Sequence, residues 1–504
     1  MSLNTNDNDS VAPRRGPSPG ALLFALLLVG AGAVLVFVIR PWAGKGREDV
    51  GPSLAKTKPP PSAEPTEMEA PTPKEVLPPP RKKGSFLEDF GKEDGHSEGK
   101  KDLTNAELES KLGEMIKARD RLRDIRDRAM REKLAGPLLK AAIKEHTDLE
   151  ARLDRDLAVF QDEVKAARST RPKDPVPEWI TGELLIFIGG EPEIILPYLD
   201  GALKKGLDRP RLLASKARTL IEANRFDEAY EVAHQAVRKD GKDEYVFNAF
   251  KQAAEATERY EKIIDELNEA FPKDLPDWAR KTMGRAEEGF IRLQMELKAR
   301  GADAKADNNP RVRLLVEHRR FKRDAKGAFL KGEIESTGKG EVLLELFEDV
   351  APNTVANFLS LVEAKKFDNT RFYLAQAATL VAGGDFEAKD AESDGTGTPG
   401  YFIPDEMKRD GARKHFRGSL CMVKNPSAGS QFFINLIPEP RMDGHFTVFG
   451  RVLKGMDVLD RMTPGRTNYN VGHFGNLVPG DLLLHAAVLR KRGHEYKVTK
   501  LPLE

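Results

Sequence analysis

The pattern of apolar and polar positions divides this chain into segments of very different character. Residues 21–39 form a run of 19 residues with no charge and no proline. As a helix, this run is long enough to cross the hydrocarbon of a bilayer. The segment that follows, RPWAGKG, is a poor site for signal-peptide cleavage. We therefore predict a retained transmembrane anchor at 21–39, after an N-terminal tail at 1–20.

The segment at 40–101 has the composition of a linker. Ten prolines lie between Gly51 and Lys83, with almost no large apolar residue among them. Such a segment cannot bury enough apolar surface to offset the entropy of ordering. We predict an extended, Pro-rich disordered linker.

Helical periodicity begins just after this linker. Thr104 and Glu107 fit a capping box, in which each side chain satisfies a backbone donor at a helix start. Two strongly charged helical stretches follow, at 105–134 and 137–170, separated by Gly136-Pro137. Sparse apolar positions and close acid–base pairs predict a solvated helical hairpin in a segment at 102–171.

Residues 176–300 carry an internal repeat. Equivalent positions recur every 34 residues in a helical pattern, which resembles tetratricopeptide repeats. They are Pro192, Phe226 and Tyr260; Ala202, Ala236 and Ala270; and Trp179, Leu213 and Phe247. Arrays of this kind commonly bind other proteins, so we expect a protein partner here. A degenerate helical spacer is the alternative.

Near residue 325 the spacing of apolar residues changes from a helical period to alternation at every second residue. FLKGEIES and EVLLELFED alternate like strands on either side of a predicted turn at TGKG. A helix is predicted from Pro352, with Val355, Phe358 and Val362 on one face. Shorter strands follow in SQFFINLI and FTVFGRVL. The pattern predicts an antiparallel β domain with one or two helices, and it favours a barrel.

Composition narrows the chemistry. The chain has 81 basic and 80 acidic side chains and a net charge of +1, which gives no case for a nucleic-acid partner. Cys421 is the single cysteine, so no intrachain disulfide can form. The nine histidines belong to no spaced set of Cys, His and Asp ligands. We expect neither a metal site nor a cofactor.

Five motifs between 325 and 492 carry a family resemblance. They are GEVLLELFEDVAPNTVANFLSLVE, GTPGYFIPDE, FRGSLCMV, SAGSQFFINL and DGHFTVFGRVLKGMDVLD. In order and spacing they resemble a cyclophilin-type peptidyl-prolyl cis-trans isomerase domain. The resemblance implies a closed antiparallel β-barrel of eight strands with flanking helices and a peptide groove on one outer face. The tail at 493–504 would follow it.

The reaction of that family needs one hydrogen-bond donor. Isomerisation is slow because resonance gives the prolyl C–N bond double-bond character, and a donor at the prolyl nitrogen removes that character. In the family an arginine is this donor. Counted back from Gly383-Gly384, its position is Leu374, which cannot donate. Arg371 would point to the opposite face of the strand, and Gln376 shares the face of Leu374 but is displaced along it. The catalytic residue is therefore unknown.

The resemblance also assigns the rest of the groove. Gln431 and Phe433 occupy family positions, and Phe433 would form the floor of a proline pocket. Met442 matches the family's apolar residue, whereas Phe446 lacks the polar atom of the usual His or Tyr. Ala382 and Lys424 depart from the family's Gln and Asn. The predicted peptide-binding residues are Leu374, Thr379, Leu380, Gln431, Phe433, Met442 and Phe446.

Three hypotheses follow. The first is a family member with weak or no isomerase activity that mainly binds a proline-containing peptide or client protein. The second is an active isomerase that assists the folding of exported proteins. The third is a scaffold in which the repeats bind a partner and the barrel is structural. In each, 21–39 would hold the chain in a membrane. A bacterial cytoplasmic membrane, with the C-terminal domains on its extracytoplasmic side, fits the short N-terminal tail best.

Overall fold

The computed structural model describes residues 103–323, 329–386, 395, 397–423, 429–466 and 478–502. Within the described residues, helices extend from Asn105 to Ala306, and an antiparallel sheet follows. The predicted anchor at 21–39 and linker at 40–101 lie outside these residues. Among the helices that are described, none is both long and apolar enough to cross a membrane.

The first two helices form a hairpin, α1 (Asn105–Arg131) and α2 (Gly136–Thr170). The predicted capping box is confirmed: the Glu107 N–H donates to Thr104 Oγ1 at 3.3 Å, and the Thr104 N–H donates to Glu107 Oε2 at 2.9 Å. One face of the hairpin is buried, because Leu108 and Phe160 pack in a cluster with Trp179 of the following helix. The hairpin is therefore only partly solvated.

Seven helices follow in this part of the described chain, as three consecutive pairs and one further long helix. They are α3 (Pro175–Ile188), α4 (Pro192–Lys204), α5 (Pro210–Glu222), α6 (Phe226–Lys239), α7 (Glu244–Ala256), α8 (Tyr260–Ala270) and α9 (Asp277–Ala306). Pro192, Phe226 and Tyr260, which recur at the predicted period, each begin the second helix of a pair. Ala202 and Ala236 are fully buried, so small side chains lie where helices come close.

Ten strands form one antiparallel sheet in the order β3-β10-β1-β2-β8-β6-β7-β5-β4-β9. They are β1 (Arg311–Arg323), β2 (Phe329–Leu346), β3 (Thr370–Arg371), β4 (Leu374–Gln376), β5 (Leu380–Gly383), β6 (Ser419–Met422), β7 (Phe432–Asn435), β8 (Thr447–Lys454), β9 (Gly465–Arg466) and β10 (Leu482–Arg490). Helix α10 (Pro352–Glu363) precedes β3, a 3-10 turn covers Pro440–Met442, and α11 (Met456–Asp460) follows β8. In the described residues the sheet is curled but open, rather than the closed barrel predicted.

A break in one strand explains the open order. The Phe372 N–H donates to the carbonyl of Asp481 at 2.8 Å, whereas the Tyr373 N–H donates to the carbonyl of Ala382 at 3.0 Å. The segment therefore changes partners between these two residues. Its first half, β3, pairs with β10, and its second half, β4, pairs with β5. Because of this change of partners, β3 is an edge strand of the sheet.

The predicted turn at TGKG is wrong. Strand β2 runs through it and pairs with β1, a strand for which the sequence pattern made no prediction. The register shifts between His318 and Arg319, where β2 carries the additional residue Thr337 next to Gly338. Gly338 has φ +146°, a conformation that glycine adopts readily. A bulge therefore accommodates the turn-like sequence inside a continuous strand.

The helices and the sheet share one core. A continuous cluster of buried apolar side chains runs from Leu196 in α4 to Ala486 in β10. Arg413, from the loop before β6, donates to Glu296 of α9 at 2.6 Å and to Asp303 of α9 at 2.7 Å. The Arg413 and Glu296 side chains are only 7% and 6% exposed. Burial acts to lower the pKa of Arg413, but the two carboxylates outweigh it and raise that pKa.

The contact between α8 and α9 generates a stability prediction. A Cβ added at Gly289 of α9 would lie 2.3 Å from Cε1 of the buried Tyr260 ring. We expect Gly289→Ala to lower the free energy of unfolding by about 1–3 kcal/mol, because the ring must shift in a packed core. Urea denaturation measures this change.

Gly284, in the same helix, is the matched control, since no atom lies within 4 Å of a Cβ built there. Gly284→Ala should raise the free energy of unfolding by roughly 0.5–1 kcal/mol through helix propensity. Equal effects at the two positions would contradict the packing described.

Candidate functional site

One row of side chains crosses four strands of the sheet. Leu374 of β4 is paired with Ala382 of β5, Ala382 with Phe433 of β7, and Phe433 with Cys421 of β6. Directly opposed residues of antiparallel strands lie on the same face of the sheet. Leu374 and Phe433, both predicted groove residues, therefore share a face two strands apart.

A second row lies two residues further along the same face. In it Gln376 is paired with Leu380, and Leu380 with Asn435. Leu374, Leu380 and Phe433 are 6%, 4% and 4% exposed, so the two rows form a buried, mostly apolar surface. Thr379 is half-buried just before β5, and its carbonyl accepts the N–H of Leu436 at 2.9 Å.

Aromatic rings surround Phe433. The His415 ring lies nearly parallel to it, with centroids 6.2 Å apart and planes at 11°. The Phe446 ring meets it edge-on, with centroids 5.3 Å apart. Met442 is buried, and its sulfur lies 3.7 Å from the amide nitrogen of Asn435 in the second row. The structure thus brings Phe433, Phe446 and Met442 to the same region, an apolar environment suited to a proline ring.

Gln431, a predicted groove residue, makes two hydrogen bonds within the protein. Its Oε1 accepts the Tyr373 hydroxyl at 2.8 Å, and its Nε2 donates to the carbonyl of Gly397 at 2.7 Å. Both ends of the buried amide are therefore used within the protein. Gln431 ties β4 to the loop at Gly397.

The donor position is apolar. Leu374 has no polar side-chain atom, and it is paired with Ala382 of β5 on one side and with Arg466 of β9 on the other. Arg371 belongs to β3, where it is paired with Leu482. Gln376 lies in the second row, and its Oε1 is buried without a hydrogen bond. Lys424 lies outside the described residues.

His415 was missed by sequence reasoning. It lies in the loop before β6 and is fully buried. Its Nδ1 is 3.0 Å from Asp443 Oδ1, which also accepts the His415 backbone N–H at 2.9 Å. Asp443 Oδ2 accepts a 2.5 Å hydrogen bond from Arg292 of α9. A motif-based search could not find this set, because its three members are far apart in the sequence.

The electrostatics of this set keep the imidazole neutral. Burial lowers the pKa of His415, and the charges of Arg292 and Lys414 lower it further. Asp443 acts to raise this pKa, but the lowering effects are larger. Burial acts to raise the pKa of Asp443, but hydrogen bonds from His415 and the charge of Arg292 outweigh it and lower that pKa. A neutral imidazole beside a carboxylate carries its proton on Nδ1. Nε2 is then an acceptor, and it is buried without a hydrogen-bond partner.

Comparisons with known proteins agree on one family. A family profile described as "Cyclophilin type peptidyl-prolyl cis-trans isomerase/CLD" matches residues 332–474. A peptidyl-prolyl cis-trans isomerase of Helicobacter pylori is 35% identical over 133 residues, which cover 26% of this chain and 78% of that protein. A second, from Arabidopsis thaliana, is 35% identical over 133 residues, covering 26% of this chain and 81% of that protein.

Solved structures were matched as well. One of them is a Cryptosporidium parvum cyclophilin-type peptidyl-prolyl cis-trans isomerase in the presence of the dipeptide Ala-Pro. It is 24% identical, has a TM-score of 0.25, and is matched over 30% of this chain and 92% of its own.

The buried imidazole generates a pH prediction. The pKa of His415 is lower in the folded than in the unfolded protein, so the unfolded state binds more protons as the pH falls below about 6.5. The stabilising contribution of the neutral ring is therefore complete above that pH and is lost below it. Between pH 7 and pH 5 we expect the unfolding free energy of the native chain to fall by up to about 2 kcal/mol more than that of His415→Gln.

Denaturation midpoints at several pH values measure the difference. His445→Gln is the control, because His445 is exposed and near the same turn. This comparison separates the buried ring from the general effect of replacing a histidine by glutamine. Parallel slopes for the native chain and His415→Gln would show that His415 does not titrate differently on folding.

Proposed function

Because this chain belongs, through its C-terminal domain, to the cyclophilin-type peptidyl-prolyl cis-trans isomerase family, we propose that its groove binds proline-containing segments of other proteins. We propose further that it isomerises them weakly or not at all.

The observation that carries this proposal is the first row of the sheet. Prolyl isomerisation requires no acid, base or nucleophile, but it does require a donor aimed at the prolyl nitrogen. Leu374 occupies the position of that donor, has no polar side-chain atom and is buried. Loss of one well-placed transition-state donor typically costs about 10²–10³ in rate.

Peptide binding depends on other properties of this surface than catalysis does. A proline ring needs an apolar pocket of fixed shape, which depends on buried side chains rather than on a charge. Phe433, Leu380 and Met442 are apolar and firmly packed. Retention of these side chains without the donor favours a peptide-binding role over a catalytic one.

A protease-coupled isomerisation assay on the full chain tests the catalytic part. We expect the native chain to accelerate cis-to-trans conversion of a blocked Ala-Pro peptide at least about 100-fold less than an arginine-bearing relative. Leu374→Arg should raise the rate at least about tenfold if the missing donor is the main defect. Activity of the native chain equal to that of the relative would refute the proposal.

Gln376→Leu is the companion variant. Gln376 shares the face of Leu374, and its amide NH2 group is the stand-in donor that the second hypothesis, an active isomerase, would require. Under the second hypothesis, an active isomerase, Gln376→Leu should abolish the rate. Under the proposal made here, it should leave the low rate unchanged.

The remaining proposals concern place and partners. The apolar run at 21–39 supports a membrane anchor, with the C-terminal domains on the extracytoplasmic side. The paired helices from α3 to α9 support tetratricopeptide-like repeats that bind a protein partner.

A compartment-sensitive reporter fused to the C terminus tests the orientation of the chain in the membrane, and the chain lacking 21–39 serves as its control. Recovery of the intact chain in the soluble fraction would contradict the anchor.

A further inference from the structure

We propose that the helical repeats hold both walls of the proline pocket in position, so that Asn224 and Arg292 are positioning residues for peptide binding. The first wall is the β4–β5 hairpin tip at 377–380, and the second wall is Met442 with Asp443. This inference rests on the proposed function of the groove. Neither Asn224 nor Arg292 belongs to the predicted groove itself.

The first wall is held by Asn224, which lies in the turn between α5 and α6. Its Oδ1 accepts the N–H of Ala378 at 2.8 Å, and its Nδ2 donates to the carbonyl of Asp460 at 3.1 Å. Asn224 is buried and has φ +56°, a conformation that asparagine tolerates. One amide therefore joins a helical turn to the hairpin tip and to the end of α11.

The hairpin tip needs such a support. Ala378 has φ +48°, in the left-handed region that a residue with a Cβ rarely occupies. An external hydrogen bond to its N–H stabilises that conformation. Because Thr379 and Leu380 follow directly, the position of Ala378 sets where this wall of the pocket lies.

A second group of contacts supports the same wall. Arg417 donates to the carbonyl of Leu436 at 2.5 Å and pairs with Asp460 at 2.5 Å. Its guanidinium lies 4.7 Å from the ring centroid of Phe226, the first residue of α6. The Leu436 N–H in turn donates to the carbonyl of Thr379. The turn that carries Asn224 and the start of α6 thus act on the same hairpin.

The second wall is held by Arg292 of α9. This side chain is 19% exposed, binds Asp443 Oδ2, and lies 5.1 Å from the ring centroid of Phe416. Asp443 directly follows Met442 and also holds His415, whose ring lies parallel to Phe433. A continuous series of contacts therefore leads from α9 through Asp443 and His415 to the floor of the pocket.

These contacts are separable from the bulk of the interface. The shared apolar core and the buried pairs of Arg413 with Glu296 and Asp303 join the helices to the sheet independently. Loss of Asn224 or Arg292 should therefore leave the two parts joined while one wall moves. Coupling through packed side chains of this kind commonly changes affinity severalfold.

The test is peptide titration of the full chain in detergent micelles, with methionine methyl groups labelled with ¹³C. The Met442 methyl resonance reports the pocket, and Met442→Leu assigns it. The probe is a blocked tetrapeptide containing Ala-Pro. We expect Arg292→Met and Asn224→Gly each to raise its dissociation constant at least fivefold. Glycine is chosen at 224 because it keeps the positive φ.

Matched controls exist for both variants. Arg285→Met changes an exposed arginine of the same helix. Asn369→Gly changes an exposed asparagine that also has positive φ, +61°. Both controls should stay within twofold of the native dissociation constant. Unchanged affinity in both Arg292→Met and Asn224→Gly would overturn the proposal.

The pKa of His415 is a second readout. It tests the positioning role of Arg292 independently of peptide binding, and a general loss of folding would not reproduce the expected change. The Arg292 charge disfavours the protonated form of His415, so Arg292→Met should raise the pKa of His415 relative to the native chain. Arg292→Lys, which keeps the charge, should largely restore it and should bind peptide better than Arg292→Met. Ring ¹³C shifts of His415 measure this pKa without any ligand.

The outcomes are therefore distinguishable. Failure of the native chain to bind the peptide would refute the proposed function alone. In that case, movement of the Met442 and His415 signals in Arg292→Met would still support the positioning role, and unmoved signals would overturn it. If Arg292→Met does not fold, Arg292→Lys and Asn224→Gly test the positioning role instead, through the peptide dissociation constant and the Met442 and His415 signals.

Discussion

The position of α9 against the sheet domain depends on one buried cation. Arg413 lies between Glu296 and Asp303 of α9, where water cannot solvate it. A buried charge is tolerated only when its partners are close and well oriented, and removal of one partner typically costs about 3–5 kcal/mol. This requirement fixes α9 against the loop before β6. Arg292, on the same helix, is then held at the distance at which it can reach Asp443.

The groove illustrates how binding and catalysis separate on one surface. An apolar pocket depends on volume and packing, which many side chains determine together, whereas the donor is a single group. With Leu374 at the family's donor position the cross-strand rows are intact, because leucine suits a buried strand position paired with Ala382 and Arg466. Under the proposed function, the sheet therefore keeps its geometry without the donor.

Local features of this fold could be predicted from the sequence, and long-range ones could not. The Thr104 capping box, the 34-residue recurrence of Phe226 and Tyr260, and the family motifs depend on neighbouring residues or on a regular period. The bulge at Thr337 was mistaken for a turn, because TGKG has the same local chemistry in both. The bonds of Tyr373 to Gln431, Asn224 to Ala378 and Arg292 to Asp443 join distant positions. No periodicity records such pairs, so only the folded structure reveals them.

The lone cysteine gives the groove an internal reporter. Cys421 is fully buried in the same row as Phe433, and burial raises the pKa of its thiol well above the usual value. Only the thiolate reacts readily, so a thiol reagent can modify Cys421 only when this part of the sheet opens. Because the chain has no other cysteine, its labelling rate would measure local unfolding beneath the pocket without an engineered probe. The same isolation leaves the covalent structure identical in reducing and oxidising compartments, apart from oxidation of that one shielded sulfur.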